Sequence, residues 1–268
     1  MEIDQDKSFI RGDSETTRNS SHREVAAQEK TWKTTKTQER IVSLIGKVVT
    51  KLILGTSFAL LSFSTLAFFL LEREAAMAMM TPWQKFMNAL FQAVTPRTAG
   101  FSAIRQVELG QASKMLTMIL MFIGGAPGSI AGGIKVSTAF IVLMFMVRRT
   151  NELGEIQVFH KRLSPELINS AVVYFVKAVF LLVSATGLII LFEASGGTKL
   201  GPIAFEVVSA FGTVGLSLDL TASMSSWSKL VLIFMMFAGR VGLLAAVFLG
   251  ENKNNYNITY PEADILIG

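Results

Sequence analysis

The sequence predicts an all-α membrane protein made of two copies of one unit: a spanning helix, a short half-helix, a loop and a second spanning helix. Three observations lead there. Apolar residues, 51% of the chain, gather in blocks. Residues 51–71, 171–192 and 230–249 are each about as long as a bilayer crossing, roughly 20 residues. A threonine-x-glycine pattern occurs twice, as Thr98-Ala99-Gly100-Phe101-Ser102 and as Thr213-Val214-Gly215-Leu216-Ser217. The spacing also persists beyond that pattern: Gly100 and Gly215 are 115 residues apart, and so are Gly124 and Gly239. Phe91 to Val94 matches Phe205 to Val208 at 114, which places a one-residue insertion near Gly212. A duplication at fixed spacing marks a repeated structural unit. Buried helices of a soluble protein are the alternative, but they seldom run this long without charges.

Residues 1–40 are charged and rich in Ser and Thr, with no sustained apolar period, and read as a disordered segment or cytoplasmic linker. The first unit covers 41–150. Lys47 and Lys51 border its first span. Thr81 caps a half-helix with Pro82 at the first position and Gln84 completing a capping box. From Pro82 to Val94 that helix rises about 20 Å, too short to cross the hydrocarbon. The next apolar stretch, 115–147, is interrupted by the glycine-rich run Gly124 to Gly133. Residues 151–170 form a loop, the second unit covers 171–250 with its half-helix from Gly201-Pro202 to about Phe211, and 251–268 form a tail. Arg148, Arg149, Lys161 and Arg162 place the central loop in the cytoplasm by the positive-inside rule, and both termini with it. Both half-helices then enter from the outside. Trp83 and Trp227 fall at the outer boundary, where an aromatic belt is expected, and Lys177 snorkels to the inner one.

Mean hydropathy is +0.47 and net charge +5, which suits anionic inner-leaflet lipid; no aromatic-basic interleaving points to nucleic acid. The absence of cysteine excludes disulfides and thiolate metal sites, and the two histidines, His22 and His160, lie in polar segments. The glycine run superficially resembles a phosphate loop, but Ile134 follows Gly133 where that loop has lysine, and Val136 stands where a magnesium-binding hydroxyl should be. The sequence offers no enzyme and no cofactor site.

Irregular backbone after a half-helix is tolerated at membrane depth only where it lines water or is buried in protein. A dehydrating monovalent cation needs uncharged oxygens held close together, and backbone carbonyls supply them. Thr98, Ala99, Gly100 and Phe101, with Gly212, Thr213, Val214, Gly215 and Leu216, are the candidate selectivity filter. Potassium would be held by the carbonyls of Thr98, Gly100, Thr213 and Gly215. The carbonyl-rich ends of the half-helices favour a cation there, by about 0.3–1 kcal/mol each near a surface. One filter glycine per copy, where potassium channels have two, implies looser selection between potassium and sodium. Arg97 props the filter from behind. Arg240 lies deep in the last span, where a charge must face water or a partner. It serves either as a barrier below the filter or as the partner of a carboxylate. Broken helices also occur in alternating-access transporters, which remain a second reading. A non-conducting assembly partner is a third.

Thr95-Pro96-Arg97-Thr98-Ala99-Gly100-Phe101, the run from Gly124 to Lys135, and Ser209-Ala210-Phe211-Gly212-Thr213-Val214-Gly215-Leu216-Ser217 resemble the third and fourth pore units of the Trk/Ktr/HKT potassium transporter superfamily. The likeness covers about 41–268, and the ending from Tyr260 resembles the close of a Ktr-type membrane subunit. The resemblance implies potassium uptake across the cell membrane, with sodium or protons as coupling ion and a cytosolic nucleotide-binding ring as regulator. It makes Gly124, Gly125, Pro127, Gly128, Ser129, Gly132, Gly133 and Lys135 an intramembrane gate, and it supports Arg240 as the pore barrier. The alternative for the glycine run is close helix packing through small residues. Ile130 departs from the family, which usually has threonine there. Family chains carry four units and this chain has two, so a missing amino-terminal half or a second copy, as a homodimer, is expected to complete the pore.

Overall fold

The computed structural model describes residues 50–147 (52 excepted), 157–158, 161–162, 164–194, 197 and 199–241. The expectations for residues 1–40, Arg148, Arg149, the end of the last span beyond Val241 and the 251–268 tail lie outside the described residues. The chain divides into two units, 1–55 and 56–268. All packing below concerns the second.

The described elements follow the two-copy plan. Helix α1 spans Ile53–Glu72, α2 Pro82–Val94, α3 Gln111–Phe122 and α4 Val136–Val147; α5 spans Pro165–Phe192, α6 Leu200–Gly212 and α7 Ser226–Val241. A two-residue antiparallel pair, β1 (Gln157–Val158) and β2 (Lys161–Arg162), lies between α4 and α5. Two helices, α1 and α5, are long and apolar enough to cross a membrane. Helix α5 begins at Pro165, ahead of the apolar block. Ser164 Oγ accepts from Leu167 N–H (3.3 Å) and proline occupies the first turn, so polar capping extends the helix beyond the stretch that hydropathy marks.

Phe68, Met77, Ala89, Ala93 and Leu120 form a core within the first copy; Ile189, Ile203, Phe211 and Met235 anchor a second core that also takes in Ile134 of the first copy. A smaller cluster joins the copies, with Met121 of α3 against Phe205 of α6, Val214 and Leu216. The second spanning segment of copy one thus packs on the half-helix of copy two.

A glutamate clasps each copy at one rim. Glu72, fully buried at the end of α1, accepts from Gly110 N–H (2.9 Å), the N-cap of α3. Glu193, the C-cap of α5, accepts from Ser225 N–H (2.8 Å) and Ser228 Oγ (2.6 Å) at the start of α7. In both cases a carboxylate sits on the positive end of the second helix along the chain, beyond the half-helix. At Glu193 the Ser228 hydroxyl and then the Ser225 contacts hold the carboxyl below its ordinary value.

Candidate ion pathway

The half-helices are built as their sequences dictate. Thr81 Oγ1 accepts from Gln84 N–H (3.4 Å), and the Gln84 side chain accepts from Thr81 N–H (3.0 Å), so α2 carries its full capping box. Helix α6 has no side-chain cap. Helix α6 runs directly into its turn at Thr213, whereas Thr95, Pro96 and Arg97 separate the end of α2 from Thr98.

The two turns share one backbone. Thr98 has φ 65° and Gly100 75°; Thr213 has φ 52° and Gly215 89°, with the residue between them at negative φ in both turns. Alternating handedness sends successive N–H groups to one side of the chain and successive carbonyls to the other. A β-branched threonine in the left-handed region costs about 1–2 kcal/mol, so the surroundings must impose it. Equivalent bonds do so: Ala99 N–H donates to the Thr95 carbonyl (3.2 Å) and Val214 N–H to that of Ser209 (3.0 Å). Thr95 Oγ1 also donates to the Phe101 carbonyl.

The turns meet. A Cβ on Gly100 would stand 2.6 Å from the Val214 carbonyl oxygen, and one on Gly215 would stand 3.8 Å from Gly100 Cα. Only glycine at 100 permits that approach. Beside the second turn is a cavity of about 440 Å³ lined in part by Glu206, Ser209, Thr213, Gly215 and Met236.

Behind each turn lies a polar brace. Gln92 and Gln106 are both buried and exchange amide hydrogen bonds (2.9 and 3.2 Å). At the equivalent places of copy two stand Glu206 and Thr221. Thr221 Oγ1 donates to Glu206 Oε2 (2.6 Å), while Ser217 Oγ (2.7 Å) and Leu218 N–H (2.8 Å) donate to Oε1. Sequence reasoning aligned Gln92 with Glu206 but gave neither a role. The available signal was a polar side chain amid apolar neighbours at matched places in both half-helices. Arg105 and Asp219 pair across the copies (2.8 Å), both exposed.

The glycine run breaks the second spanning segment of copy one, as its composition requires. Its stems close through Gly124 N–H to the Ile134 carbonyl (2.8 Å), Ile134 N–H to that of Phe122 (3.0 Å) and Val136 N–H to that of Gly125 (3.1 Å). Gly132 and Gly133 are buried, whereas Pro127, Gly128, Ser129 and Ile130 form an exposed tip. The loop is tied to the second turn: Gly132 N–H donates to Thr213 Oγ1 (3.1 Å). Lys135 folds back over the loop, its Nζ donating to the carbonyls of Ala131 (2.7 Å) and Ser129 (3.0 Å). Arg240, exposed in the last turn of α7, acts electrostatically on Lys135 and makes no ion pair among the described residues. The Arg97 guanidinium carries a buried nitrogen with no hydrogen-bond partner.

Two helix–half-helix–turn–helix copies meeting at their turns define a membrane protein of the pore-loop class. The family model described as "TrkH: Cation transport protein" matches residues 11–255, and the chain belongs to that family. It is 37% identical over 189 residues to the Potassium/sodium uptake protein NtpJ of Enterococcus hirae, covering 69% of this chain and 42% of that protein. It is 31% identical over 221 residues to the Ktr system potassium uptake protein B of Bacillus subtilis, covering 82% of this chain and 49% of the relative. The crystal structure of the potassium transporter TrkH from Vibrio parahaemolyticus superposes with a TM-score of 0.62 at 22% identity, over 74% of this chain and 43% of that one. That likeness establishes a shared fold. The chain spans less than half the length of each of these proteins.

Proposed function

We propose that this chain supplies two of the filter turns of a potassium-conducting pore in the cell membrane, with both termini cytoplasmic. The observation that carries the reading is the matched pair of turns, left-handed at Thr98 and Gly100 and again at Thr213 and Gly215, meeting at Gly100 and Val214. The carbonyls of Thr98, Gly100, Thr213 and Gly215 replace part of the ion's hydration shell. Ala99, Phe101, Gly212, Val214 and Leu216 set the spacing of those oxygens. The names of the relatives, a potassium/sodium uptake protein and a potassium uptake protein, favour potassium as substrate and sodium as a candidate coupling ion.

Gly124 to Lys135 act as the gate beneath the filter, and Arg240 holds a positive charge at the same level so that the resting pore does not leak. A cytosolic nucleotide-binding ring, implied by the family resemblance, moves that gate. The test is uptake of rubidium and growth at low potassium by a bacterium lacking its own potassium uptake. Cells carrying this chain, alone or with a candidate amino-terminal half, should grow, and deleting residues 127–130 should raise the initial uptake rate. Absence of growth and uptake from both combinations, with the protein present in the membrane, would reject the reading.

A further inference from the structure

Just beyond the two turns, the copies are joined by a charge pair. Arg105 Nη2 donates to Asp219 Oδ2 (2.8 Å), a contact between residues 114 apart in the chain. Both side chains are exposed, 70% and 63%. An exposed pair contributes little to folding, yet the backbone fixes where Asp219 stands. Its φ is 62°, in the left-handed region, which aspartate and asparagine tolerate better than most residues. Its N–H donates to Ser217 Oγ (2.9 Å), and that hydroxyl donates in turn to Glu206 behind the second turn. The Asp219 carboxylate is thus mounted on the brace of one turn and directed at the other copy.

The same segments carry further charge. Glu108 Oε1 stands 3.9 Å from Arg105 Nη1. Lys114 Nζ donates to the Val107 carbonyl (2.8 Å) and Lys229 Nζ to that of Ala222 (3.2 Å), bonds whose donor and acceptor both repeat at 115. One lysine per copy is therefore anchored on the segment that follows its turn. Four residues of extended chain span at most about 14 Å, so Asp219 lies within that distance of Gly215. Charges act over about 30 Å in 0.01 M salt but only about 8 Å at physiological ionic strength. The field of the pair therefore reaches the turns in dilute salt and fades in concentrated salt.

This step rests on the pore reading above, in which both half-helices enter from outside and the segments leaving the turns form the outer mouth. We propose that Arg105 and Asp219 set the electrostatic potential at which a cation enters that mouth. Asp219 draws cations towards the filter. Arg105, held by Asp219 and facing Glu108, offsets that attraction. Neither residue supplies an oxygen to the selected ion, so the pair governs the rate of entry and leaves the filter oxygens as they are.

Initial rubidium uptake at low external rubidium is measured in sorbitol medium of about 0.01 M ionic strength. Asp219→Asn, which keeps the tolerance for a positive φ, should lower the rate at least about twofold, and Arg105→Gln should raise it by as much. Combining both should bring the rate back close to that of the unsubstituted chain. The differences should shrink at about 0.15 M salt, and the maximal rate should stay unchanged, so that the effect lies in KM. Losses from both single variants, or differences indifferent to salt, would make the pair a brace alone and overturn the proposal. Because the chain has no cysteine, a further variant separates charge from misfolding. Asp219→Cys, already in the membrane, is treated from outside with impermeant thiol reagents of similar size bearing a negative, a neutral or a positive charge. The negative adduct should restore uptake and the positive one lower it further. Equal rates for the three adducts, or no labelling from outside, overturn the proposal. Uptake that ignores the charge at 219 leaves the pore reading standing; no rubidium uptake by the unsubstituted chain, alone or with a candidate amino-terminal half, sinks both.

Discussion

Copy one and copy two solve the same structural problem with different side chains. Both must hold a strained threonine turn at membrane depth, and both brace it from behind with a buried polar contact. Copy one uses a neutral amide pair, Gln92 with Gln106. Copy two uses a carboxylate, Glu206, that gathers two hydroxyls and one backbone N–H. At the rim, Glu193 takes the Ser228 hydroxyl, whereas the hydroxyl of the equivalent Ser113 is buried with no hydrogen-bond partner among the described residues. The second copy is therefore the more tightly bonded half, and the first the more adaptable. The backbone of the turn is what the two share, so main-chain geometry is the constrained feature and the brace is interchangeable.

The sharpest way to break the comparison is at the two turn glycines. Gly100→Ala places a methyl 2.6 Å from the Val214 carbonyl oxygen and also strains a positive φ. Overpacking of this kind costs about 1–3 kcal/mol before the backbone strain is added. Rubidium uptake should fall at least about tenfold. Gly215→Ala meets nothing closer than 3.8 Å and bears only the left-handed penalty, about 1–2 kcal/mol, so its loss should be smaller. Equal losses would mean that the turns do not meet as described.

Next in size is the brace. Glu206→Ala leaves three donors without their acceptor, each costing about 1–3 kcal/mol when buried. Gln92→Ala removes two bonds with Gln106 and a longer one to Thr117 (3.4 Å), all between neutral groups, which are weaker than bonds to a carboxylate. Thermal unfolding in detergent should therefore show a larger drop for Glu206→Ala, by about 2 kcal/mol or more. A larger drop for Gln92→Ala would reverse the ranking of the two copies.

The smallest effect is the acid sensitivity of the rim. Hydrogen bonds from Ser228 and Ser225 depress the Glu193 carboxyl, so its folded value lies below the unfolded one near 4.5. Its stabilisation is complete above about pH 4.5 and is lost as the pH falls through the folded value. Ser228→Ala removes the largest cause and should flatten the dependence of melting temperature on pH below that point. An unchanged acid limb would show that the clasp contributes nothing to folding.

Much of this design could be read before the fold was known, and the reasons differ by element. The half-helix α2 is legible because its capping box and proline act within four residues. The turns are legible because a duplication repeats both pattern and spacing. The broken segment follows from glycine and proline content alone. The clasps were hidden: Glu72 and Glu193 are 121 residues apart, while their targets Gly110 and Ser225 keep the 115 spacing, so no single alignment pairs them. They also reach across 38 and 32 residues of chain. The fold of Lys135 over the loop was equally invisible, since a lysine after glycines has no preferred direction until the loop closes. Its place among the gate residues came from resemblance, and its bonds to Ala131 and Ser129 came from the fold.

The carboxylate clasps have a mechanical consequence. They rivet each unit along the rim where α1 and α5 end and α3 and α7 begin, fixing that edge like the hinge side of a shutter. The opposite edge of copy one has no carboxylate rivet among the described residues: a severed helix is stitched there by a few main-chain bonds, one lysine and the bond from Gly132 to Thr213. In this unit the free edge is therefore the one expected to travel.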